Sequence, residues 1–92
     1  MVEHSLVTYP AIVEQGAQQT RVHFPDLPAA DVVDADYYQA LMRAQLGLAI
    51  VIIDLESHHE PVPAPSEPTT LAPLLNTPEA RIELITTDLD EY

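Results

Sequence analysis

Residues 36–55, DYYQALMRAQLGLAIVIIDL, carry the strongest local signal in the chain and set its architecture. Between Tyr37 and Leu55 there is no proline and a single glycine, and Leu41, Ala44, Leu48, Val51, Ile52 and Leu55 recur at helical spacing. Asp36 stands where an N-cap is needed, and Gln39, three residues on, is placed to complete a capping box. A helix from Tyr37 to about Leu55 would be ~28 Å long. Its second half, Leu46 to Ile53, is apolar nearly all round. A helix apolar on every side needs cover on every side, so Leu46, Ile50 and Ile53 are expected to form an oligomer interface, which a charge at Ile52 should split; the alternative is shielding by the C-terminal segment.

Upstream of the helix the period changes from helical to alternating. Residues 5–14, SLVTYPAIVE, are rich in β-branched and aromatic side chains and predict a strand. Val7, Tyr9, Ala11 and Val13 share one face; Leu6, Thr8 and Ile12 share the other. Pro10 conflicts with a central strand, because proline cannot donate to a ladder, so a bulge or an unpaired position is predicted there. The turn at 15–18, QGAQ, then returns a second strand over 19–24, with Thr20, Val22 and Phe24 on one face. Pro25-Asp26-Leu27-Pro28 is a rigid corner, followed by a short third strand from Ala30 to Val33.

Downstream, residues 56–79 hold six prolines (61, 63, 65, 68, 73 and 78). An extended, polyproline-like arm is expected over about 57–79, with at most one helical turn between Thr70 and Leu75. Residues 80–87, ARIELITT, close the chain as a last strand.

Composition narrows the chemistry. The chain has 92 residues, 47% of them apolar, which fits one small domain (1–92) that a partner would help to stabilise. It has no cysteine, hence no disulfide or thiolate site, and no apolar run of the ~20 residues a membrane span requires. No signal peptide is recognisable, and a cytoplasmic location is expected. Fifteen acids against three arginines give a net charge of −12. Such a chain repels phosphates, so direct nucleic-acid binding and membrane binding are not expected. The first strand has no acid before Glu14, which speaks against carboxylates converging on a catalytic metal. Asp26, Asp31, Asp34 and Asp36 crowd a corner where caps and turns favour aspartate. His58-His59-Glu60 lacks a third ligand at metal-binding spacing, and His4 and His23 are isolated. With two glycines, neither a nucleophile elbow nor a phosphate-cradling loop is present. No catalytic, cofactor or metal residue is assigned. By elimination the residues point to a non-enzymatic, homo-oligomeric protein-binding domain.

Tyr9-Pro10-Ala11 on the first strand, Phe24-Pro25-Asp26-Leu27-Pro28 after the second, Ala40-Leu41 early in the helix and the proline-rich exit at 60–66 resemble, in this order, the N-terminal domain of HicB-like antitoxins. The resemblance spans about residues 5–90. It implies an α+β fold of order β-β-β-α-β, a partial RNase H-like domain: a three-stranded antiparallel meander, one long helix packed on one face, and a fourth strand beside and parallel to the first. It further implies a partner, a small basic RNA-cleaving toxin that the domain neutralises, and no nuclease carboxylates. Asp26, Asp31 and Asp34 are the expected partner-binding residues. No C-terminal DNA-binding module is recognisable. The alternatives are an RNA-binding or nuclease-related protein on a degenerate RNase H-like scaffold, and an orphan structural oligomer.

Overall fold

The computed structural model describes residues 5–75 and 77–91; His4 and Tyr92 lie outside them. Four strands, β1 (Leu6–Gln15), β2 (Thr20–His23), β3 (Val32–Asp34) and β4 (Ala80–Asp88), form one sheet of order β3-β2-β1-β4. The one α-helix among the described residues, α1 (Tyr37–Ser57), packs across one face. The alternation in β1 sorts as the sequence predicts. Tyr9, Ala11 and Val13 are buried beneath the helix with Val22, Phe24 and Ile85, and Ala40, Ala44, Leu48 and Ile52 of α1 meet them. The two alanines let the helix come close, while Phe24 and Leu48, both fully buried, fill the space between.

The β1–β2 hairpin pairs Gln15 with Thr20 around a four-residue loop closed by Gly16 N–H to the Gln19 carbonyl at 2.8 Å. A Cβ at Gly16 would sit 3.2 Å from that same oxygen, which is why glycine suits the position. Of the two expectations at Pro10, the bulge does not form, whereas the unpaired position holds on the β2 side alone. β1 and β4 pair without interruption from Leu6↔Asp88 to Glu14↔Ala80, with Pro10 opposite Leu84. Pairing with β2 begins only at Ile12, so the flank of β1 beside Pro10 carries no ladder and the missing N–H costs no bond.

A second correction concerns β4, which lies beside β1 but antiparallel to it. The parallel reading counted one traverse, the helix, between β3 and β4. The proline-rich arm is a second traverse, and two reversals bring the chain back in the opposite sense. Three contacts mark its path: the Tyr9 hydroxyl donates to the Pro63 carbonyl, Ser66 is held by Asp26, and Thr77 Oγ1 donates to Glu14 at 2.9 Å. The arm therefore runs from the end of β2 to the end of β1, and Leu74 comes to lie beside Ile12 on the sheet face away from the helix. It also holds more regular structure than the one turn expected, a 3-10 segment over Pro68–Leu74 that buries Leu71.

Both ends of α1 are closed locally. Asp36 accepts from Gln39 N–H at 2.8 Å, as predicted, but the reciprocal bond from Gln39 is replaced, because Asp36 N–H donates to Asp34 Oδ1 at 2.9 Å. At the other end His59 adopts a left-handed backbone (φ 57°). Glu60 N–H then reaches the Leu55 carbonyl and His59 N–H the Glu56 carbonyl. This is a Schellman cap, and it gives His58-His59-Glu60 a helix-terminating role.

Tyr9 links core to arm through its hydroxyl, and burial, followed by the nearby Asp26 and Glu56 carboxylates, raises its pKa. The folded state therefore holds this proton to higher pH than the unfolded chain does. The stabilisation is complete below the ordinary value of about 10 and is lost as pH rises through the folded value. Tyr9→Phe should flatten that alkaline limb and cost about 1 kcal/mol near neutrality, read from circular-dichroism melts at stepped pH.

Candidate protein-binding surface

The outer side of α1 carries an apolar stripe at every fourth residue. Tyr38 (72% exposed), Met42, Leu46 and Ile50 (53%) all face solvent. Residues four apart stack along one side of a helix, so these side chains make a continuous strip rather than scattered exposures. Beside it runs a groove of about 280 Å³, walled by Ala29, Ala30 and Val32 on one side and Leu46, Ile50 and Val51 on the other. Arg43 and Asp31 stand at its rim. Arg43 also donates to Asp34 Oδ2 at 3.1 Å and to the Val33 carbonyl.

The acidic corner is structurally committed. Asp31 accepts Phe24 N–H on one oxygen (2.8 Å) and faces His23 Nδ1 with the other (2.6 Å). Asp34 accepts from Asp36 N–H and from Arg43, and these bonds, in that order of weight, hold its carboxyl below the usual aspartate range. Asp26 is set apart from both, under the arm, where it accepts Ser66 N–H at 2.8 Å and the Ser66 hydroxyl. A second hollow, about 390 Å³, opens on the far sheet face between Ile12, Glu14, Arg21, His23, Asp31 and Leu74. Among the described residues no group of three or more histidines or acids is arranged to hold a metal ion, and no helix is long and apolar enough to cross a membrane.

Neither a family model nor a curated protein matches the sequence. The fold is more telling. A toxin–antitoxin complex from Streptococcus pneumoniae contains a chain that superposes with a TM-score of 0.78 at 24% identity, over 95% of this chain and 72% of that one. A HicA3–HicB3 toxin–antitoxin complex matches at TM-score 0.70 and 19% identity, over 89% of this chain and 99% of the other. The N-terminal domain of the antitoxin HicB from Burkholderia pseudomallei gives 0.71 at 17%, over 86% and 95%. The chain has a HicB-like antitoxin fold.

On this HicB-like frame the predicted residues divide. Leu46, Ile50, Asp31 and Asp34 gather around the groove, whereas Asp26 does not, and Ile53 is half-buried. Ile52, the position expected to split an oligomer, is 2% exposed in the core. It turns inward because Ala44, Leu48 and Ile52 form the sheet-facing row. The four-residue spacing of Tyr38 and Met42 to Leu46 and Ile50 is legible in the sequence; that this row faces solvent is not.

Proposed function

We propose that this chain is a non-enzymatic antitoxin module that binds and neutralises a small basic RNA-cleaving toxin. The observation that carries the reading is the exposed stripe of Tyr38, Met42, Leu46 and Ile50 on a domain of net charge −12 whose fold recurs in toxin–antitoxin complexes. A contiguous apolar strip on a soluble domain marks a docking surface. The acidic field steers a basic protein toward it, and the apolar side chains hold the docked complex. Asp31 and Asp34 contribute to this field at the groove rim. Asp26 contributes charge from beneath the arm.

Native mass spectrometry of the untagged protein purified from its own cells at low salt tests this. The expected result is a co-purifying basic protein that dissociates as salt screens the charges. Recovery of the chain with neither protein nor RNA attached would overturn the toxin reading and leave the fold alone. Retained RNA would favour a nucleic-acid role instead.

A further inference from the structure

β4 is the outer strand of the sheet, and its backbone orientation is fixed by two independent features. Pro10, which has no N–H, stands opposite Leu84 in an unbroken ladder. Gln45 Nε2 donates to the Thr86 carbonyl at 3.1 Å from the helix side. Both place the even-numbered residues of β4 in the non-hydrogen-bonded pairs with β1, so their N–H and C=O groups point away from the sheet. Gln45 covers this edge at Thr86. From the Ala80 carbonyl to Leu84 it is open, the Ala80 N–H donating to the Thr77 carbonyl at 3.2 Å, and Leu84 is 60% exposed.

We propose that a second copy of this chain docks antiparallel on β4, with the two-fold axis at Ile82, merging two four-stranded sheets into one. In that register Ile82 faces its own copy and exchanges both backbone bonds with it, and Leu84 N–H of each copy reaches the Ala80 carbonyl of the other. Arg81 of each copy then faces Glu83 of the other. These fall in non-hydrogen-bonded pairs, where Cα atoms approach to about 4.5 Å and side chains lie closest. Arg81 is already held for the contact. Its Nε bonds Glu83 at 2.7 Å within the chain, and its guanidinium bonds the Tyr37 hydroxyl and lies 5.2 Å from that ring's centroid. Centring the axis on Leu84 instead would set Glu83 against Ile85 and displace Gln45 from Thr86. The self-complementary charges select the Ile82 register, and the Gln45 cover limits its length. The helix groove, bordered by β3 at the opposite edge of the sheet, stays free in such a dimer.

Analytical ultracentrifugation across micromolar concentrations and a range of salt tests the proposal. The wild type should dimerise, and more strongly as salt rises, because two chains of net charge −12 repel one another at long range. A basic client behaves oppositely, so the two associations are told apart. Arg81→Glu sets like charges across the axis twice and should weaken the dimer about tenfold or more. The charge swap Arg81→Glu/Glu83→Arg should restore it. Leu84→Pro removes an outward N–H without touching the β1 ladder and should abolish dimerisation with circular dichroism unchanged. A wild type that stays monomeric throughout overturns the proposal, as does a dimer indifferent to the Arg81 and Leu84 variants or one broken by Ile50→Asp. Should Leu84→Pro fail to fold, the charge-swap pair decides.

Discussion

Ile52→Asp is expected to unfold the domain, whereas Ile50→Asp, two residues away, should leave it folded and unable to bind its client. Ile52 is 2% exposed among Leu48, Phe24 and the β1 side chains, and an aspartate there has no partner. Burying an unpaired carboxylate costs several kcal/mol, against a total stability that for a small domain is on the order of 5 kcal/mol. Ile50 points the other way, 53% into solvent. A charge there interrupts the strip between Leu46 and the end of the helix without entering the core. Thermal melts of the two variants, with client capture for the second, read both halves. A cooperative wild-type-like melt for Ile52→Asp would mean that α1 packs on the sheet by a different face.

Asp26→Ala should be the next most damaging change, though no reacting group is removed. The carboxylate accepts two hydrogen bonds from Ser66 and joins the corner after β2 to the arm. Its loss leaves a partly buried N–H and hydroxyl unpaired, worth about 1–3 kcal/mol. Beyond the fall in melting temperature, amide exchange should quicken over the 3-10 segment at Pro68–Leu74, while the β1–β2 hairpin keeps its protection. Asp26→Asn, which retains one acceptor oxygen, should lose less. Equal exchange in wild type and Asp26→Ala would show that the arm is held elsewhere.

The elements themselves were legible in the sequence, because each rests on a local cause. Alternation at Val7, Tyr9, Ala11 and Val13 makes β1, and Asp36 caps α1. The position of β4 beside β1 follows only from resemblance, and its antiparallel direction depends on the arm being a traverse rather than a connector. Nothing local to 58–79 records that Ser66 meets Asp26 or that Thr77 meets Glu14. Likewise the run from Leu46 to Ile53 is apolar on all sides, so periodicity could not say that Ile52 faces the sheet and Ile50 does not. Whether Pro10 needs a bulge or only an unpaired flank is equally non-local, since it depends on where β2 stops. Leu46 and Ile50, expected at an oligomer interface, and Asp31 and Asp34, expected at a partner contact, lie around one groove, while the exposure of Tyr38 and Met42 follows only from the helix's orientation.

The pairing of Leu6 with Asp88 also governs how this protein comes into being. During synthesis the β1–β2 hairpin and α1 emerge early and can settle on one another. Yet β1, a central strand of the finished sheet, keeps one side bare until β4 has left the ribosome. Closing so long a loop must precede any reward from the contacts it makes. Until β4 has been made the nascent chain is thus an incomplete sheet, open to proteases and to mispairing. Any truncation within β4 returns it to that condition, which makes this strand a checkpoint on whether the sheet has been completed.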